Sequence, residues 1–277
     1  MVEFNPEQLK KLYIPATSSH KGQNGKVMVI GGSKLFHAAS LWALEIASHI
    51  VDMVYYASVT ENNQIVQDSK QQFRNGIIVP RDKIESYVEE ADSILVGPGL
   101  PRPDGQESGD DDTRMLTEKL LRTYPHKHWV IDGGSLQTMD PNLIPPEAIL
   151  TPHAQEFTTL FKLPVNTLEE RMKHASDMAK KYRCTIILKG ESDLIASQTE
   201  STMISGGNAG LTKGGTGDVL AGLASALYAK NDPWLSATAA SYFNKKAAER
   251  LFETKGYWYN TSELVSTIPT IMKEVLL

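Results

Sequence analysis

Residues 214–218 read Gly-Gly-Thr-Gly-Asp and run directly into an apolar stretch, VLAGLASALYAK, whose small residues Ala221, Gly222, Ala224 and Ser225 suit a closely packed helix. Glycines at a helix start let the backbone turn several N–H groups toward one point, and the helix dipole adds partial positive charge there. A turn of this kind binds an anion. Asp218 falls in the first turn, where the dipole favours the ionised carboxylate, and such a carboxylate can take a proton from a substrate hydroxyl held nearby. The alternative is a residue that only complements the dipole. Neither this segment nor "GGSKLF" at 31–36 has the order of a Walker A loop, and "GGSKLFHAAS" is no dinucleotide fingerprint. Glycine spacing by itself therefore gives phosphate binding and leaves the reaction open.

An anion site of this kind has to be carried by a sheet. Short β-branched runs alternate with helical patterns: "KVMVIGG" before "HAASLWALEIASHI", then "MVYYASV", "SILVGPG", "HWVIDGG" and "CTIILKG". That rhythm predicts an α/β fold, a largely parallel sheet covered by helices, with ligands beyond the carboxyl ends of the strands. From Asn166 to Tyr182 the residues Leu168, Met172, Ala175, Ala179 and Tyr182 share one helical stripe, and Thr167 with Glu170 has capping-box spacing. Asp232 and Pro233 start a helix running to about Phe252, and Ser262 starts another ending near Leu277, so the last hundred residues or so read as three strands followed by three helices. No repeat or linker interrupts the chain. The acids of the loop "PRPDGQESGDDD" at 101–112 favour the N-terminus of the next helix, a metal cluster being the alternative.

Composition narrows the partners. A net charge of -5 and a pI near 5.8 give no general electrostatic grip on nucleic acid or anionic membrane. No run approaches the ~20 apolar residues that span a bilayer, so the expected setting is the cytoplasm. Cys184, the single cysteine, opens a buried-strand pattern and reads as a structural thiol.

Six segments in order, "VIGGSKLFHAAS", "LVGPGLP", "VIDGGSL", "LTPHAQEF", "IILKG" and "NAGLTKGGTGDVLAG", resemble the ADP/ATP-dependent NAD(P)H-hydrate dehydratases, a branch of the ribokinase-like superfamily. The resemblance covers nearly the whole chain. It implies one ribokinase-like three-layer α/β/α domain over 1–277, with no epimerase domain ahead of it and a separate epimerase supplying substrate. The implied activity is nicotinamide cofactor repair. ADP or ATP, with Mg²⁺, phosphorylates the ring hydroxyl of the S epimer of hydrated NADH or NADPH, and phosphate elimination restores the cofactor. By the same resemblance Asp218 is the catalytic base and also touches substrate, and Gly214, Gly215, Thr216 and Gly217 form the anion hole. Ala39, Gly99 and His153 match substrate-binding positions, although each could serve only packing, a turn or a cap. Lys189, Gly190, Glu191, Ser192, Asp193 and Gly217 match nucleotide-binding positions, and the metal ligands are not specified. Family members commonly form homo-tetramers, which makes a homo-oligomer the expected assembly.

The chain departs from the family pattern at several places. Asp193 stands where Thr is usual and Lys213 where a small or hydroxyl residue is usual. A carboxylate beside phosphates is unfavourable and a lysine favourable, so the two are expected to compensate each other as an ion pair or through a metal. Ala154 and Gln155 replace Pro-Gly after His153, Phe36 and Ala38 replace Tyr and Gly, and Gly133-Gly134 stands near a position where Ala is common. These changes point to an altered pocket. Two other functions share the motifs: a ribokinase-like small-molecule kinase acting on a hydroxymethyl or sugar hydroxyl, and a nucleotide-binding relative without turnover.

Overall fold

The computed structural model describes residues 2–277. Ten strands form one sheet: β1 (Val2–Glu3), β2 (Lys26–Ile30), β3 (Met53–Ala57), β4 (Ile77–Ile78), β5 (Ser93–Val96), β6 (His128–Ile131), β7 (Ile149–Leu150), β8 (Thr185–Leu188), β9 (Asp193–Ala196) and β10 (Ser201–Ile204). Their order is β1-β10-β9-β8-β7-β6-β5-β2-β3-β4, and every pairing is parallel except β8–β9 and β9–β10. The expected parallel sheet is present, with β9 running antiparallel to both of its neighbours toward one edge.

Ten α-helices cover it: α1 (Ala38–Ser48), α2 (Thr60–Ser69), α3 (Ile84–Glu90), α4 (Thr113–Thr123), α5 (Gly133–Thr138), α6 (Ala154–Phe161), α7 (Leu168–Tyr182), α8 (Thr216–Tyr228), α9 (Pro233–Lys255) and α10 (Thr261–Leu276). Strand alternation divides the interior in two, because successive side chains point to opposite faces. Val27, Val29, Val54, Tyr56, Leu95 and Val130 pack with α1, α8, α9 and α10 on one face. Met28, Ile30, Tyr55, Ile94, Trp129 and Ile131 pack with α3 to α7 on the other. Three layers result.

The sequence signals at helix ends have direct counterparts. Thr167 caps α7 and forms the capping box with Glu170, and Asp232 caps α9 by accepting from Leu235 N at 2.8 Å. Asp112 caps α4, accepting from Met115 N at 2.9 Å, while Asp111 pairs with Arg81 and Asp110 accepts from Lys34 N. The acids of the 101–112 loop are thus engaged with a helix end and neighbouring donors. Two expectations need correction. The C-terminal helix is capped by Asn260, with Glu263 completing the box, because Asn260 is the residue in extended conformation and Ser262 is already helical. Leu168, expected on the buried stripe of α7, is 54% exposed, since it occupies the first helical position beyond the sheet's cover. Cys184 is buried and burial pushes its thiol up to about 12, as a structural thiol requires.

Candidate functional site

The loops after β2, β5, β6, β7 and β8 gather at the carboxyl edge of the sheet, and the N-terminus of α8 opens there. α8 lies close on α1: a Cβ on Gly222 would stand 2.7 Å from Ala43 Cα, which explains the small residues along this helix. At its N-cap, Gly215 adopts φ 97° with the Trp42 ring 2.2 Å from where a Cβ would sit. Only glycine meets both demands. Thr216 Oγ1 donates within the turn, to the carbonyls of Leu211 at 2.6 Å and Lys213 at 2.9 Å. The amides of Gly215 and Gly217 find no protein acceptor among the described residues, and Gly214 faces open space on its Cα side. Free N–H groups and the dipole therefore converge on one point.

The turn is braced from outside. Lys213 Nζ donates to the carbonyls of Tyr257 and Tyr259, the latter at 2.6 Å, and lies 4.9 Å from the Tyr259 ring centroid. Thr261 Oγ1, in the first turn of α10, donates to Gly214 O at 2.8 Å.

Beneath the turn lies a compact group of charges. Lys189 Nζ stands 3.0 Å from Asp132 Oδ1 and 3.7 Å from Glu156 Oε2, and both carboxylates are buried. Thr151 Oγ1 donates to Asp132 Oδ1 at 2.7 Å, and Gln137 Nε2 to Glu156 Oε1 at 3.2 Å. A Cβ on Gly217 would stand 3.3 Å from Lys189 Nζ, which places the ammonium under the first turn of α8. Burial opposes the Lys189 charge, but Asp132, Glu156 and Asp218 together hold it well above the ordinary lysine range. Burial, Asp132 and Glu156 push the Asp218 carboxyl up to about 7, against the pull of Lys189. Burial and Asp132 likewise raise Glu156. Several carboxyls facing one ammonium cannot all be comfortably ionised, so one of them titrates near neutrality.

A cavity of about 770 Å³ extends from this cluster, lined at one end by Lys189 and Gly217 and further out by the 189–193 and 205–212 loops, Leu220 and α9. The structure thus brings Lys189, Gly190, Glu191, Ser192, Asp193, Thr216 and Gly217 to one wall, together with His153. His153 caps α6, its Nδ1 accepting from Glu156 N at 3.2 Å while Glu156 Oε2 accepts from His153 N at 2.9 Å. Ala154 and Gln155 are simply the first turn of that capped helix.

The expected Asp193–Lys213 pairing is absent. Asp193 is buried and accepts from Gly190 N at 3.0 Å and Ser241 Oγ at 2.7 Å, and its cation is Lys245 of α9, 3.5 Å away. Lys213 is engaged with the tyrosine carbonyls. Lys245 Nζ also donates to the carbonyls of Glu191 at 2.9 Å and Gly190 at 3.2 Å, so one ammonium neutralises Asp193 and shapes the loop beside it.

Ala39 and Gly99 form a separate group. Gly99 has φ 69°, and a Cβ there would stand 3.1 Å from the Ala39 Cβ and 2.9 Å from Phe36 O. These two positions meet across the loops after β2 and β5, and Trp42, one turn along α1, reaches Gly215. Gly134 is required by packing: its Cβ would stand 2.2 Å from Leu100 O. His153 lines the cavity.

Asp132, Glu156, Asn244 and Lys245 join the site without having stood out as site residues in the sequence. Asp132 and Glu156 lay inside quoted strand-end segments, and a carboxylate at a strand end before glycines was a usable signal. Asn244 and Lys245 interrupt the apolar pattern of a buried helix between Phe243 and Ala247, a second signal.

Comparison with known proteins gives a consistent picture. The family model described as NAD(P)H-hydrate dehydratase matches residues 27–270. A bifunctional NAD(P)H-hydrate repair enzyme from Methanocaldococcus jannaschii is 35% identical over 96% of this chain, which spans 51% of that protein's length. The chain thus covers about half of such bifunctional relatives. The ADP-dependent (S)-NAD(P)H-hydrate dehydratase of Nitrosopumilus maritimus is 29% identical over 96% of this chain and 95% of its own. Among solved structures, the ADP/ATP-dependent NAD(P)H-hydrate dehydratase of Bacillus subtilis, co-crystallised with ATP and Mg²⁺, superposes with a TM-score of 0.84 at 23% identity, covering 99% of this chain and 98% of that one. A ribokinase-like superfamily protein from Enterococcus faecalis superposes with a TM-score of 0.83 at 23% identity over 99% and 96% of the two chains, in agreement with the ribokinase-like three-layer fold. The chain belongs to the NAD(P)H-hydrate dehydratase family.

Proposed function

We propose that the protein uses ADP or ATP to dehydrate the S epimer of hydrated NADH or NADPH. The observation that carries this reading is Asp218, a carboxyl pushed up to about 7 in the first turn of a helix whose glycine amides face the same point. A base poised near neutral pH beside an anion hole suits phosphoryl transfer to a hydroxyl. The names of the relatives support the choice of substrate.

The nucleotide occupies the 770 Å³ cavity, a volume within the usual range for such ligands, with its phosphates toward Lys189 and Gly217. The hydrated ring lies by Ala39 and Gly99. Asp218 takes the hydroxyl proton, the freed oxygen attacks the terminal phosphorus, and the bond to the departing nucleotide breaks. The amides of residues 214–217 stabilise the charge on the transferring group, and Lys189 adds a point charge. The ring C–O bond then breaks, its electron pair leaving on the phosphate, a neighbouring C–H gives its proton to the departing phosphate, and the electrons of that C–H bond restore the ring double bond. Among the described residues no three His, Cys, Asp or Glu side chains converge into a cation cage. These residues do not form a dedicated Mg²⁺ cage; a cation would enter on the phosphates.

The test measures phosphate release and recovery of reduced-nicotinamide absorbance with hydrated NADH, ADP or ATP and Mg²⁺, in the native protein and in Asp218→Asn. Recovery that needs nucleotide and is lost in the variant is expected. A stable phosphorylated product without recovery would replace this reading with a kinase, and nucleotide binding without any product would replace it with a site that only binds.

A further inference from the structure

One face of α9 holds both loops of the cavity wall. Ser241, Lys245, Ala248 and Glu249 recur at helical spacing and so share a side of the helix. Ser241 Oγ donates to Asp193 Oδ2 at 2.7 Å in the 189–193 loop. In the 205–208 loop, Glu249 Oε1 accepts from Gly207 N at 3.1 Å and Ala248 O accepts from Asn208 Nδ2 at 2.7 Å. Lys245 lies between these contacts and reaches both loops. Its Nζ donates to the carbonyls of Glu191 at 2.9 Å and Gly190 at 3.2 Å, and to Gly206 O at 3.5 Å.

An ammonium has three protons to donate, and those of Lys245 are committed to three main-chain carbonyls. Its side chain is 4% exposed, and Asp193 at 3.5 Å matches its charge. Lys245 therefore keeps neither a donor nor a free charge for a ligand. What it controls is the main chain. A trans peptide points its N–H opposite to its C=O, so holding the carbonyls of Gly190 and Glu191 on Lys245 turns the amides of Glu191 and Ser192 away from it. Neither amide donates to a protein acceptor among the described residues, and both residues line the cavity.

We propose that Lys245 is a positioning residue for the nucleotide, holding the 189–193 and 205–208 loops in their binding arrangement before the nucleotide arrives and without touching it. The assignment rests on the nucleotide reading of the cavity given above, but not on the dehydration step. Loops already ordered lose little entropy on binding, whereas loops released from Lys245 must be ordered by the ligand. Asp193 then serves as the counter-charge of this strut, which accounts for a carboxylate standing where threonine is usual.

The test uses the double variant Lys245→Met with Asp193→Asn, which removes cation and counter-charge together while the Asn oxygen keeps an acceptor for Gly190 N. ADP is titrated into the whole protein with Mg²⁺ and without hydrated NADH, and amide hydrogen exchange is followed at Gly190 and Gly207 in the absence of nucleotide. ADP affinity should fall about tenfold or more, with faster exchange at both glycines. A lysine of structural importance only would lower the unfolding midpoint and leave affinity native, and that result would overturn the proposal. Lost affinity with unchanged exchange would overturn it as well, by making Lys245 a direct contact. If the variant does not fold, the native protein decides: exchange at the two glycines should be slow without nucleotide and change little with ADP, and a large slowing by ADP would overturn the proposal. A native protein that binds no ADP would instead overturn the nucleotide reading, and this proposal with it.

Discussion

Asp218 should give the reaction an acid limb near pH 7, and removing a neighbouring charge should move it. With the carboxyl at about 7, roughly one molecule in eleven is ionised at pH 6 and ten in eleven at pH 8, so kcat/KM should rise about tenfold between them. After burial, Asp132 is the first of the charges that raise this carboxyl. Asp132→Asn removes that charge and also releases Lys189 from its 3.0 Å partner, leaving the ammonium to the remaining carboxylates. Both effects favour the ionised form of Asp218, so the limb moves to lower pH. A displacement by one pH unit would leave about half the molecules ionised at pH 6, and the pH 8 to pH 6 ratio would drop to about two. Initial rates of absorbance recovery at the two pH values, taken as a ratio within each protein, cancel any loss of absolute activity from a loosened Lys189. A flat native profile, or a limb that moves upward in Asp132→Asn, would refute the reasoning. The same elevation has a stability consequence of defined sign. The unfolded carboxyl releases its proton near the ordinary aspartate value of 3.8 and the folded one near 7, so this group's contribution to stability is present in acid and lost as pH rises between them.

The Asp193–Lys245 pair is buried at 3.5 Å, so Asp193→Thr or Lys245→Met alone should destabilise by about 3–5 kcal/mol, while the double variant should cost much less than the sum; additive losses in denaturant unfolding would sink the pairing. Gly215→Ala places a methyl into the Trp42 ring at a backbone φ of 97°, so ADP binding measured by titration should weaken sharply; Trp42→Ala added to it should restore part of the affinity, and no restoration would mean that backbone strain alone is responsible.

Local signals were legible wherever the physics is local. Thr167 with Glu170, and Asp232 with Pro233, marked helix starts because caps act within one turn of chain. The runs around Met28, Tyr55, Leu95 and Val130 marked strands because each is long enough to alternate or to stay apolar. The two-residue strands β1, β4 and β7 carry no such pattern and exist only because a neighbour supplies the hydrogen bonds. The site divides in the same way. The glycine turn and Asp218 could be read from adjacent residues, and Lys189 from its ordered neighbours. The partner of Asp193 could not, since nothing near Lys245 in sequence indicates that α9 crosses beneath the 189–193 loop; charge compensation was the right idea and Lys213 the wrong lysine. The acids around Lys189 come from three different strand ends or helix starts, and their mutual effect on Asp218 arises only on folding.

The brace on the anion turn alters what its glycines mean for binding. A chain segment with three glycines in four residues ought to sample many conformations, and arresting it on a phosphate would cost about 1–2 kcal/mol of entropy per residue ordered. Lys213 tied to the Tyr259 carbonyl, Thr261 tied to Gly214 O and Trp42 set against Gly215 have already removed that freedom when the ligand arrives. The glycines therefore contribute shape without slackness. Loop rigidity is lent by α10, so a change at the far end of the chain that frays this last helix should weaken phosphate affinity while every group that touches the phosphate remains in place.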